Sequence, residues 1–198
     1  MSQRVSTENG IILLFLTVPK SVSYFGAAPK RDYALLRLLW GNALRRNEIS
    51  QLNIGDFDES ARTLLIKGKG KGSQTESIDL SGATTNAISI WLEASHEGRP
   101  NDAPLFIALD FCNFGHRLTG ESIRRTVVGA CIAAGINKRM SPHRIRHSAI
   151  TAALDATDGN VRKVQKLSRH ANLETLMVYD DNREKAQLEI TELLDDLI

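Results

Sequence analysis

The sequence predicts an α+β fold that is mostly helical and carries a small antiparallel β-sheet or hairpin on one side. Three observations predict it. Apolar residues recur at helical spacing through most of the chain. Helix-start residues stand directly ahead of several of those stretches. Two short runs of strand character flank one glycine–lysine turn, "KGKGKG", at Lys67–Gly72. At 198 residues the chain suffices for one sizeable core or two small lobes, and no internal repeat or low-complexity tract is visible.

Taken in order, the most apolar run is "IILLFLTV", Ile11–Val18. It is far shorter than the roughly 20 residues a membrane span requires. Glu8 and Asn9 just before it weaken a signal-peptide reading, so a buried strand or packed arm is expected. "KRDYALLRLLWGNALRRNEISQL" reads as two helices. Tyr33, Leu35, Leu36, Leu38, Leu39 and Trp40 give the first an apolar face; Gly41-Asn42 breaks it; Glu48, Ile49 and Leu52 continue in the second. Strands are expected around Thr63–Lys67 and Ser77–Leu80. Ser81 then reads as the N-cap of a helix reaching Trp91, and "APLF" before Ile107 as a short extended piece. "TGESIRRTVVGACIAAG" is a helix capped by Thr119 and stopped at Gly135. Ser141-Pro142 opens another, with proline at its first position. Further helices are expected at about Asn160–Ser168 and Leu173–Val178. The last stretch, "REKAQLEITELLDDLI", repeats Ile190, Leu193, Leu194, Leu197 and Ile198 as one narrow helical stripe.

Composition is ordinary for a globular protein, with 42% hydrophobic and 24% charged residues. The distribution of charge says more. A tail at −5 from Asp180 to Ile198 leaves +7 on the rest of a chain whose net charge is +2. A basic body with an acidic tail suits a polyanion partner, and also a solvated surface with a solubilising tail. Two cysteines, Cys112 and Cys131, lack metal-type spacing, which argues against a disulfide scaffold and for a reducing, cytoplasmic compartment. No membrane association is expected.

The chemistry-bearing segments each admit a plain reading. In "HRIRH", His143 and His147 lie four apart on one helical side, as in zinc hydrolases. The residues between them are Arg144, Ile145 and Arg146, two of which repel a divalent cation while none supplies a base; no metal and no cofactor are expected. His143 and Arg146 are three apart at a helix start, where N–H groups and the dipole favour an anion and a guanidinium fork takes two phosphate oxygens. "KGKGKG" lacks the Gly-Lys-Ser/Thr ending of a nucleotide P-loop and reads as a solvated turn, or as a lysine finger for a nucleic-acid groove. Arg45 and Glu48, three apart, read as a surface ion pair of about 0.2–0.5 kcal/mol. Tyr179, nine residues after His170, would by itself be core or interface.

Their joint order is more specific than any one of them. Arginine, lysine, His-x-x-Arg, histidine and tyrosine occur in "ALRRNE", "IKGKGKG", "SPHRIRHSAIT" and "LSRHANLETLMVYDD". In these boxes the chain resembles the catalytic domain of the tyrosine recombinases, the phage-integrase-like enzymes, from about Arg31 to Asp181. The resemblance implies that Arg45 is the first catalytic arginine, with Arg46 as the competing register and Glu48 as the supporting acid. It places the hairpin lysine on Lys69, with Lys67 and Lys71 as alternates. His143 and Arg146 take the His-x-x-Arg positions, His170 the second histidine and Tyr179 the nucleophile. Arg169 stands where many members have glycine, which alters local backbone freedom. Lys67, Lys71, Arg144 and Arg169 are expected on DNA.

The implied chemistry is metal-free phosphoryl transfer. Tyr179 attacks a DNA phosphate, forms a 3′-phosphotyrosine and releases a 5′-hydroxyl. The charge on the non-bridging oxygens then needs fixed cations, from Arg45 and Arg146. Tyrosine, with an ordinary pKa of about 10, needs a base, and His143 is the candidate. The implied organisation is an arm or linker remnant over 1–30, a catalytic domain over 31–181 and an amphipathic helix over 182–198. By analogy that helix docks on a neighbouring protomer in a DNA-bound tetramer; packing on its own domain is the alternative. About thirty residues precede the matching region, too few for the separate DNA-clamping domain most recombinases carry. Weak, salt-sensitive DNA binding by this chain is therefore expected. The competing readings are a catalytically silent DNA-binding remnant and a type IB topoisomerase-like enzyme.

Overall fold

The protein is represented by a computed structural model that describes residues 27–67, 75–95, 98–136 and 138–170, with 172, 174 and 176. The apolar run at 11–18, Lys69, Lys71, Tyr179 and the tail stripe lie outside the described residues. The elements in order are α1 (Ala27–Gly41), α2 (Arg46–Gln51), a 3-10 turn (Ile54–Asp56), β1 (Phe57–Asp58), β2 (Thr63–Lys67), β3 (Thr75–Asp79), α3 (Gly82–Ser95), α4 (Gly120–Ala133), α5 (Pro142–Asp155) and α6 (Val161–Ser168). The chain divides into two compact units, Met1–Ala149 and Ile150–Ile198, with the boundary inside α5.

In the first unit α1 packs against α3. Leu35, Leu36, Leu38 and Leu39 of α1 and Ile88 and Trp91 of α3 are buried in one core. Each such side chain contributes about 1.5–3 kcal/mol by leaving water. Trp91 also donates from Nε1 to the Leu105 carbonyl at 2.8 Å, which satisfies its one polar atom. Its ring lies parallel to that of Phe106, with centroids 6.5 Å apart. The sheet is antiparallel, in the order β1-β2-β3. Leu64 of β2 faces Ile78 of β3, and Ile66 faces Glu76. Leu64 and Ile66 are buried while Leu65 and Lys67 are exposed, the alternation of a sheet with one face on the core. The hairpin was legible in the sequence. The two-residue β1 was not, because Phe57–Asp58 is too short to show a period. β3 runs over Thr75–Asp79, starting two residues before the expected Ser77 and ending one before Leu80.

Caps hold the helices where the sequence placed them. Ser81 Oγ accepts from the Thr84 N–H at 3.2 Å, and Thr119 Oγ1 accepts from the Ser122 N–H at 3.1 Å. Gly135 closes α4 at φ +71, a left-handed position natural to glycine. The segment before α4 doubles back through two isolated bridges, Asn53 with Pro104 and Ile107 with Arg117. In the second unit, Asn160 Oδ1 caps α6 by accepting from the Lys163 N–H at 3.1 Å. Ile150, Leu154, Val164 and Leu176 are its buried apolar side chains among the described residues.

Candidate active site

Arg45 occupies the N-cap of α2 in extended backbone, φ −78 and ψ 147. Its backbone N–H donates to Glu48 Oε2 at 2.7 Å, and its Nη1 donates to Glu48 Oε1 at 2.6 Å. One carboxylate therefore binds both the cap and the guanidinium of the same residue. Glu48 is 4% exposed and the Arg45 side chain 29%. This corrects the surface-pair reading: the acid is buried and the pair is structural. A carboxylate in the first turn also complements the helix dipole. Arg46 is the first residue of α2 and points elsewhere; a Cβ on Gly120 would stand 3.0 Å from its Nε. Of the two registers, only the Arg45 guanidinium is engaged by the buried acid among the described bonds.

α5 begins at Pro142, and the Arg144 N–H donates to Ser141 Oγ at 3.3 Å. Its buried side carries Ile145, Arg146, Ala149 and Ile150, while His143, Arg144 and His147 are exposed. Arg146 is 5% exposed, and its Nη1 donates to the carbonyl of Ala43. That bond spans 103 residues of sequence and fastens the second arginine to the chain two residues before the first. Ala43 itself sits at φ +46. Neither feature had a signal in the sequence, since Gly41-Asn42 draws the eye as the helix break. Asn42 adds a further tie, donating from Nδ2 to the Asp79 carbonyl at 2.8 Å. The far end of α2 is held by Arg117, another residue that sequence reasoning missed. It donates to the carbonyls of Ser50 at 3.1 Å and Leu52 at 2.8 Å, and to Asn53 Oδ1 at 2.6 Å. A guanidinium at a helix C-terminus both satisfies the last carbonyls and opposes the dipole.

The remaining expected residues divide by location. Lys67 is exposed at the end of β2, paired with Thr75; Lys69 and Lys71 lie outside the described residues. Arg144 is exposed and donates from Nη1 to the Arg139 carbonyl at 2.8 Å. In the second unit, Arg169 is the C-cap of α6 at φ +53 and ψ +39, and its N–H donates to the Gln165 carbonyl at 2.7 Å. The glycine-like position inferred from sequence is thus a left-handed one, held by an arginine. His170 is half-buried, and its carbonyl accepts from Gln165 Nε2 at 3.1 Å. No group of three or more His, Cys, Asp or Glu side chains able to hold a metal occurs among the described residues. No described helix is long and apolar enough to cross a membrane.

Comparison with known proteins follows the same lines. The chain is 56% identical over 169 residues to a tyrosine recombinase, slr0733, of Synechocystis sp., covering 85% of this chain and 53% of that protein. It is 49% identical over 183 residues to a tyrosine recombinase of Synechococcus elongatus, covering 92% and 56%. The chain thus spans about half the length of the curated relatives it matches. Among solved structures, the fold is similar to the XerH site-specific recombinase bound to its difH substrate, at TM-score 0.72 and 22% identity, covering 93% of this chain and 51% of that one. It is likewise similar to the XerA recombinase, at TM-score 0.70 and 22% identity, covering 86% and 57%. The sequence profile of the phage integrase family matches residues 13–186, most of the chain, and the chain belongs to that family.

Proposed function

We propose that this chain carries the catalytic domain of a site-specific DNA recombinase, over residues 31–181. It cleaves and rejoins DNA through a covalent 3′-phosphotyrosine without a metal ion. The observation that carries this reading is the bond from Arg146 to the Ala43 carbonyl, beside an Arg45 fixed by a buried Glu48. Two guanidiniums drawn from distant parts of the chain are what a phosphate losing its ester bond requires.

In the proposed reaction the Tyr179 oxygen bonds to phosphorus as the bond to the 5′-oxygen breaks. The phenol proton passes to His143, and Lys69 protonates the leaving oxygen. Arg45 and Arg146 neutralise the non-bridging oxygens, and His170 hydrogen-bonds one of them. Glu48 touches no substrate and positions Arg45. The phosphodiester energy is conserved in the protein–DNA link, so a second 5′-hydroxyl reverses the attack without ATP. Lys67, Lys71, Arg144 and Arg169 contact DNA. The tail helix over 182–198 docks on a neighbouring protomer in a DNA-bound tetramer. The setting is the cytoplasm, on nucleoid DNA.

Trapping tests it. Wild-type protein is incubated with fragmented genomic DNA of the source cell and with nicked duplexes built from the recovered sites. A covalent adduct at Tyr179, resistant to chelators and absent in Tyr179→Phe, is the expected result. DNA retained without any adduct overturns the catalytic reading and leaves a DNA-binding remnant.

A further inference from the structure

We infer that Ala43 is a positioning residue: its left-handed backbone aims a carbonyl at Arg146 and so sets that guanidinium relative to Arg45. The inference rests on the phosphoryl-transfer reading above, because it assigns a role toward one of that reaction's cations. Ala43 adopts φ +46. A side chain with a Cβ meets its own backbone there, and glycine or asparagine is the usual occupant. Such a conformation persists only where the surroundings over-determine it. Here they do. The N–H groups of Asn42 and Leu44 both reach the Leu38 carbonyl at 3.3 Å. Asn42 is tied to Asp79 of β3, and the Arg45 N–H is taken by Glu48. Asn42, Ala43 and Leu44 are all buried.

The geometry has a consequence for Arg146. A residue that continued α1 as a right-handed helix would align its carbonyl with the helix axis. The left-handed step takes the Ala43 carbonyl out of that line, where it accepts from Arg146 Nη1. One Nη1 donor is thereby held by the protein. A guanidinium has five N–H donors in a fixed fork, so the others keep a defined direction. The same four-residue stretch ends in the N-cap Arg45, so one backbone turn sets both cations.

The test uses the full chain with Ala43→Gly and Ala43→Val, read by melting temperature, by ¹⁵N-arginine side-chain spectra and by the rate of adduct formation on nicked duplex. Arg146→Ala assigns the Arg146 signal. Glycine fits the left-handed region, so Ala43→Gly is expected to raise the melting temperature by about 2–4 °C and to keep the Arg146 guanidinium protons protected. Valine excludes that region. Folded Ala43→Val is expected to lose the protected signal and to cleave about 10²-fold more slowly with DNA affinity unchanged. In the Arg146→Ala background the valine change is expected to add nothing. An unchanged Arg146 signal in folded Ala43→Val overturns the inference, as does an additive effect on the rate. If Ala43→Val does not fold, a lowered melting temperature or a lost Arg146 signal in Ala43→Gly overturns it. The spectra need no cleavage, so failure of the catalytic reading is seen separately, as a protected Arg146 in a protein that forms no adduct.

Discussion

Glu48 shows how one buried residue turns a common sequence pattern into a fixed local geometry. Its carboxylate takes the Arg45 backbone N–H and the Arg45 guanidinium together, from a nearly solvent-free position. A residue three places along a helix can do this only at an N-cap, where the first N–H groups lack helical partners. Removing the acid takes the described acceptor from both donors and a buried counter-charge from a part-buried cation. Glu48→Ala is therefore expected to lower stability by about 2–3 kcal/mol in urea unfolding. Glu48→Gln, which keeps an acceptor for the backbone, is expected to lose less. Equal losses would mean that the cap plays no part.

At the scale of elements, the helix starts have distinct environments. The first turn of α4 presents Glu121 to solvent, with Arg124 Nη2 at 2.7 Å and Arg125 Nε at 3.4 Å. Hydrogen bonds from Arg124 and then its charge, with a smaller share from Arg125, pull the Glu121 carboxyl down to about 2. A folded-state pKa below the unfolded one means that this turn gains stability above the ordinary glutamate range. The gain is lost as pH falls from about 4.5 toward 2. A carboxyl-carbon NMR titration is expected to place the Glu121 midpoint near 2, and Arg124→Ala is expected to move it up toward 4.5. A midpoint already near 4.5 in the native protein would show the pair to be absent in solution. By contrast α2, only Arg46–Gln51 long, is too short to stand alone and is held by a local cap at its start, Glu48 on Arg45, and by a tertiary tie at its end, Arg117.

At the scale of the molecule, the core of the first unit runs from α1 through the sheet to the start of α5, and Cys131 of α4 lies in it. Burial pushes its thiol up to about 11, while Cys112 is exposed on the loop before α4. The thiolate is the reactive form, so the two cysteines report core integrity. At pH 8 the native protein is expected to react rapidly with one equivalent of a disulfide reagent. The second thiol should follow only on unfolding. Two rapid equivalents in the native protein would mean that α4 opens locally.

The sequence by itself determined the six described helices, the caps at Ser81 and Thr119, the two longer strands of the hairpin and the family, because these follow from local spacing and side-chain chemistry. It also singled out Arg45 and Arg146 as candidates, through their neighbours in the motif. What the tertiary structure decided was long-range. The Ala43 backbone is left-handed, although alanine does not favour that region, and its neighbours on either side are held by hydrogen bonds to Leu38, Asp79 and Glu48. Arg146 meets a carbonyl 103 residues away. Arg117 serves α2 from another part of the chain, and Glu48 is buried where its spacing alone suggested an exposed pair. Hydrogen bonds between distant segments leave no periodic trace in a sequence, since they depend on where the backbone is brought and on which groups are then deprived of water.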